Sequence, residues 1–157
     1  MKKNRILTII WGVLALLVLT FIFTNSLRNG DESMSQSSFF VDVFQKIFDP
    51  NNNLTLDQAT TIVRKAAHFT EFFVLGITVT MFLFHLGKEI NKHSIILPFF
   101  ICLLSASIDE FIQNFTGRTS SGVDVIIDFA GSSIAIGLIM LAIYLILRSI
   151  KTEEQTK

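Results

Sequence analysis

Four long apolar segments, separated by polar connections, organise this chain. The first runs from Ile6 to about Thr24 behind a basic start, Lys2-Lys3-Asn4-Arg5. A signal peptide also opens on basic residues, but its apolar stretch covers only about 7–15 residues and closes at a small-x-small cleavage site. This run is longer, and Phe23-Thr24-Asn25-Ser26 is a poor cleavage site, so a retained transmembrane helix is expected. A polar connection from Asn25 to Val63 follows. Within it Phe39, Phe40, Val43, Phe44, Ile47 and Phe48 recur at helical spacing, opposite Asp42, Gln45, Lys46 and Asp49. That alternation predicts a short amphipathic helix that packs on a bundle or lies in the membrane interface, with a lid over a site as the alternative. After the Asp49–Asn53 loop, Thr55 and Gln58 have the spacing of a capping box. They open a helix that can run continuously to Leu86, its first turns outside the bilayer. The remaining apolar segments cover about 94–114 and 124–147, with polar turns at Gly87–His93 and Thr116–Gly122 and a polar tail from Arg148.

The pattern predicts an all-α membrane protein. It is a single domain over 1–157: a bundle of four transmembrane helices, about 6–24, 64–86, 94–114 and 124–147, with the amphipathic helix in the first outer loop. Composition agrees. Half of the residues are hydrophobic and only 17% are charged, below the roughly 25% of soluble domains. The net charge is zero, which leaves no bulk electrostatic argument for a nucleic-acid partner. Cys102 is the single cysteine, so no internal disulfide can form. CxxC, P-loop, GxSxG and HExxH motifs are all absent. Of the 13 basic residues, most fall before the first segment, between the second and third, or after the fourth. The positive-inside rule then places both termini in the cytoplasm, and the acidic ends of the last three helices outside.

Three polar sets interrupt the apolar pattern at one depth. At about 100° per residue, Arg64, His68, Glu71 and Leu75 share one helix face. Asp109, Glu110 and Gln113 share another, continued by Cys102, Ser105 and Ala106. Asp124 and Asp128 share a third with Gly131 and Ala135, small residues that let a neighbouring helix approach closely. Arg118 stands in the loop between the last two. Each charge at the bilayer centre costs about 2.5–3.5 kcal/mol on insertion scales. Five unpaired acids would outweigh the roughly 5–15 kcal/mol that stabilises an ordinary domain. They must be paired, hydrated, protonated or bound to a cation. One reading is an ion-pair cluster that orients the helices. A catalytic reading uses His68 with Glu71, or Asp109 with Glu110, as general base and acid. A binding reading uses Arg64, Lys65, Gln113, Arg118, Asp124 and Asp128. A metal reading uses His68, Glu71 and the aspartates, for a hard or borderline cation; spacing alone leaves metal and cofactor unassigned. His85 and His93 are expected to be ordinary surface histidines toward the inner side.

At these residues the sequence resembles the VanZ-like family of small bacterial membrane proteins. The matching pieces are Arg64-Lys65-x-x-His68-Phe69-x-Glu71-Phe72 with Leu75-Gly76, then Asp109-Glu110-x-x-Gln113-x-Phe115-x-Gly117-Arg118, then Asp124-Val125-x-x-Asp128-x-x-Gly131. Phe23-Thr24-Asn25-Ser26-Leu27 looks like the family's serine-bearing segment after the first helix. Thr116 stands where the family often has Pro, and Asp128 where it often has Asn. The resemblance implies a cell-membrane factor that contributes to resistance to teicoplanin-type lipoglycopeptides or other envelope-directed agents. Its partner would be a membrane lipid, a lipid-linked cell-wall precursor or the amphiphilic antibiotic itself. The alternatives are an intramembrane enzyme, such as a metal-assisted hydrolase acting on lipid-linked envelope substrates, and, behind it, a small transporter.

Overall fold

A computed structural model describes residues 2–28, 30–51, 53–90, 92–116 and 121–155. They form five helices, α1 (Lys2–Ser26), α2 (Gly30–Phe48), α3 (Leu56–Ile90), α4 (Ile96–Phe115) and α5 (Gly122–Gln155). Four of these, α1, α3, α4 and α5, are long and apolar enough to cross a membrane, as the hydropathy pattern predicts. The protein is multi-pass.

α3 is the central element. It packs most extensively on α5 and α1, and also touches α2 and α4. Its start is set by the predicted capping box: Thr55 N–H donates to Gln58 Oε1 (2.9 Å), and Gln58 N–H donates to Thr55 Oγ1 (3.3 Å). Two of the unsatisfied donors at the helix start are thereby met. Its 35 residues span about 52 Å at 1.5 Å per residue, against a hydrocarbon core of about 30 Å. A large part of α3 therefore projects beyond the lipid.

Glycine permits the α3–α5 crossing. A Cβ on Gly76 would fall 2.6 Å from Ser132 O, and one on Gly131 would fall 2.4 Å from Phe69 O. Backbone meets backbone at both points, so the two helices are held at the closest approach that side chains allow. The core between helices comprises Ala15, Ile22, Phe72, Leu75, Val79, Cys102, Ala106 and Ile136. Many large apolar residues of the spans, such as Leu16, Phe100 and Ile126, remain exposed; in a membrane they face lipid.

The structure extends or revises four local readings. α2 begins at Gly30, well before the Phe-rich repeat, in a stretch containing good helix formers such as Glu32, Met34 and Gln36. It packs on α3 and buries Val41, while Phe39, Phe40, Ile47 and Phe48 stay exposed, Phe40 and Phe48 along a groove that α2 shares with α1 and α3. The turn expected at Gly87 starts later, because α3 continues to Ile90. The expected tail from Arg148 is helical to Gln155, since no Gly or Pro interrupts a stretch with Lys, Glu and Gln. His85 is not a surface histidine. It is 8% exposed and sits edge-on against Phe84, centroids 5.4 Å apart. His93 is exposed, as expected.

Candidate functional site

The three polar sets meet at one end of the bundle, where α1 and α4 finish and α3 and α5 begin. Helical spacing delivers each group there. Arg64 and His68 lie one turn apart on α3, Asp109 and Gln113 one turn apart on α4, and Asp124 and Asp128 one turn apart on α5. Together with Thr61, Lys65, Ser121 and Ile127, Arg64, His68, Gln113, Asp124 and Asp128 line a cavity of about 250 Å³.

Asp109 anchors the site. It is fully buried. Its Oδ1 accepts a hydrogen bond from the Ser26 hydroxyl, and its Oδ2 accepts one from Gln113 Nε2 (2.7 Å). Gln113, 1% exposed, turns its carbonyl the other way, where Oε1 accepts from Arg64 Nη2 (3.2 Å). A guanidinium, an amide and a carboxylate thus form a chain in which every donor faces an acceptor. The end of α1 is stitched to the end of α4 a second time, because Thr116 Oγ1 donates to the Ser26 carbonyl (3.1 Å). At the rim, Lys65 pairs with Asp124, side chains 37% and 22% exposed. Glu110 accepts the Ser121 backbone N–H at 2.9 Å, which fixes the start of α5 over the end of α4.

His68 stands between two aspartates. Its Nδ1 is 3.8 Å from Asp109 Oδ2 and 3.9 Å from Asp128 Oδ1. The contrast between the two acids is informative. Asp109 has both oxygens hydrogen-bonded. Asp128, fully buried, has neither oxygen hydrogen-bonded among the described residues.

A second hollow adjoins the first. An apolar groove of about 890 Å³ runs between α1, α2 and α3, walled by residues such as Leu17, Phe21, Val43, Phe44, Phe48 and Val63. Its polar end holds Asn25, Arg28, Arg64, His68 and Glu71. Asn25 Nδ2 donates to Glu71 Oε1 at 3.1 Å. Arg64 and His68 line both hollows, so the polar cavity and the apolar groove share a wall.

The predicted set is therefore divided. His68, Asp109, Gln113, Arg64 and Asp128 converge; Lys65, Asp124 and Glu110 border them; Glu71 belongs to the groove. Arg118 lies outside the described residues. Sequence reasoning did not assign Asn25, Ser26, Thr116 or Ser121 to the site. For the first two a signal existed, since Asn25-Ser26 is a polar pair closing an otherwise apolar helix. For Ser121 the link to Glu110 is a tertiary contact without a local pattern.

A search by family matches residues 11–146 to the VanZ/LLP1 family. The chain belongs to that family. No curated protein matches it, and no solved structure does. The VanZ/LLP1 match, over residues 11–146, takes in the described part of the polar end, the second and third spans whole, and most of the first and fourth. Within this VanZ/LLP1 fold, the site lies where all four spanning helices can contribute a side chain or a backbone group.

Proposed function

We propose that this VanZ/LLP1 protein is an envelope-protection factor whose polar end faces outward and engages a membrane amphiphile with an anionic head. The ligand class is a membrane lipid, a lipid-linked cell-wall precursor or a lipid-tailed glycopeptide. The observation that carries this reading is the wall shared by the two hollows. Arg64 and His68 border a polar cavity on one side and an apolar groove on the other. An amphiphile needs that pairing: a place for a head and, next to it, a place for a tail. The groove volume lies within the roughly 300–1,000 Å³ of small-molecule sites. Arg28 and Arg64 stand at its polar end, and guanidinium groups match carboxylate and phosphate oxygens in a bidentate geometry. Charge asymmetry between the connections supports the outward orientation. The resemblance of the motifs supports protection against teicoplanin-type agents.

A second reading, an intramembrane enzyme acting on lipid-linked envelope substrates, is favoured by one observation, the placement of His68 between Asp109 and Asp128. An imidazole so placed can move a proton or share a cation with the acids.

The test uses His68→Ala and Glu110→Gln in cells challenged with a lipid-tailed glycopeptide. Both variants are expected at normal abundance in the membrane, with melting temperatures in detergent within a few degrees of the parent, and both are expected to lose protection. Loss of both from the membrane, or full protection by both, would make the cluster a brace between helices and remove the site.

A further inference from the structure

We propose that His68, Asp109 and Asp128 bind one divalent first-row transition-metal cation, with borderline Zn²⁺ and the harder Mn²⁺ as its representatives. The inference deepens the reading of the polar end and rests on the same cavity, but binding of the ion requires neither the amphiphile nor the orientation.

Geometry comes first. One ligand atom from each of the three residues can be chosen so that all three lie within 4.8 Å of one another. They come from α3, α4 and α5, so no single helix periodicity accounts for their meeting. The two closest approaches to His68 Nδ1 are 3.8 and 3.9 Å. Ligands about 2.1 Å from a tetrahedral ion stand roughly 3.4 Å apart, so a few tenths of an ångström of closure brings His68 to ligand spacing with each aspartate, and the widest separation in the set is no more than 4.8 Å. A direct hydrogen bond would require about 3.2 Å or less. His68 thus stands farther from each aspartate than a hydrogen bond requires and close to the spacing that an ion between them requires.

The second observation is independent of the first. Asp128 is fully buried and lines the cavity, and neither of its oxygens accepts a hydrogen bond among the described residues. A buried carboxylate without hydrogen bonds is expensive. A cation among the three residues supplies what the oxygens lack. The surroundings suit ligation. Ser26 and Gln113 hold Asp109 from behind, as outer partners commonly orient metal ligands. The adjoining cavity of about 250 Å³ leaves room for water in the remaining positions, the arrangement of open rather than closed metal sites. One imidazole with two carboxylates falls between the soft thiolate sets and the all-oxygen sets, which places the ion among Zn²⁺, Mn²⁺ and Fe²⁺.

The experiment uses the full chain purified in detergent, stripped with a chelator and dialysed. Zn²⁺ and Mn²⁺ are titrated separately, bound metal is counted by mass spectrometry, and melting is followed by circular dichroism. The expected result is one equivalent per chain with a raised melting temperature. Asp128→Asn and Asp109→Asn are each expected to weaken binding by more than about tenfold, above the lower end of the loss seen when even an outer partner of a metal ligand is removed. His93→Ala, an exposed histidine far along the chain, should bind as the parent does. Cobalt supplies a check that needs no variant: Co²⁺ in the parent should give visible ligand-field bands that Zn²⁺ displaces. No saturable binding, or binding that Asp128→Asn leaves unchanged, would overturn the site, as would Co²⁺ bands absent at full occupancy. Protection against a glycopeptide is read separately, so failure of that phenotype with metal still bound would reject the envelope reading alone.

Discussion

Replacing Gly131 by alanine should separate two helices and open the site. The added Cβ would sit 2.4 Å from Phe69 O and 3.2 Å from Phe69 C, where ordinary contact begins near 3.4 Å. The obstacle is backbone, so no side-chain rotation relieves it, and α3 and α5 must part locally by about 1 Å. Overpacking of this kind costs about 1–3 kcal/mol, and an unyielding partner puts it at the upper end. Alanine returns up to about 1 kcal/mol of helix propensity over glycine. The net loss is then about 2 kcal/mol, or about 4–8 °C in melting temperature for a chain of this size. The displacement matters beyond stability, because Phe69 follows His68 and Gly131 lies one turn beyond Asp128. The 3.9 Å between His68 and Asp128 should widen, and retention of a divalent ion should fall with it. The assay is thermal unfolding by circular dichroism in detergent beside a metal count. Gly137→Ala is the control, since a Cβ there meets nothing within 4 Å, and it should melt at or slightly above the parent. Equal melting temperatures for the two variants, or Gly131→Ala unfolding no earlier than the parent, would refute the close-approach argument.

Three further outcomes are expected. A cysteine placed at Asn53 should react with an impermeant thiol reagent from outside intact cells, and one at Lys92 should not; the reverse would turn the polar end toward the cytoplasm. Asp49, in the loop between α2 and α3, accepts backbone N–H groups from Asn53 (2.9 Å) and Leu54 (2.7 Å), chiefly the latter of which holds its carboxyl below the usual 3.8. A depressed carboxylate stabilises the loop above its ordinary value and loses that contribution as pH falls through the folded one, so the protection of the Asn53 and Leu54 amides against exchange, relative to their intrinsic rates at each pH, should fall below pH 3.8. Unchanged exchange would show that the loop does not depend on this charge. Lys65→Met should lower stability by no more than about 1 kcal/mol, because its pair with Asp124 is partly exposed; a larger loss in thermal melting would mean that Lys65 is tied more tightly than the rim position implies.

The spans were legible because lipid imposes a length and a polarity that soluble cores do not. The continuity of α3 was legible because Thr55 and Gln58 carry a local capping signal. The convergence of Arg64, His68, Asp109, Gln113 and Asp128 was legible because Arg64 and His68, Asp109 and Gln113, and Asp124 and Asp128 each stand one helical turn apart on an otherwise apolar face. What helical phase could not show is how one face is shared. Glu71 lies on the His68 arc yet turns to Asn25 and the groove, because α1 packs on that side of α3. The burial of His85 escapes the pattern for the same reason: a polar residue near a helix end says nothing about its burial beside the Phe84 ring. The apolar pattern marks a span to about Leu147 and is silent on the polar tail, which helix propensity carries through Glu154 to Gln155.

The site also has an order of completion. Ribosomes deliver the N-terminal elements first, at about 5–20 residues per second, and the contacts at the polar end are far apart in the chain. The Ser26 hydroxyl waits through 83 residues for Asp109, and its carbonyl waits through 90 for Thr116. α5, which brings Asp128 and the main partner surface of α3, leaves the ribosome after the other four helices. Until it docks, His68, Asp109 and Glu110 belong to inserted helices with no fourth wall, and acids held in hydrocarbon are unfavourable by about 2.5–3.5 kcal/mol each at the centre. Nascent chains ending before Gly122 should therefore keep α4 high in the bilayer or engaged with the insertion machinery. Lateral release into lipid and maturation of the polar end then become a single late step in the biogenesis of the protein.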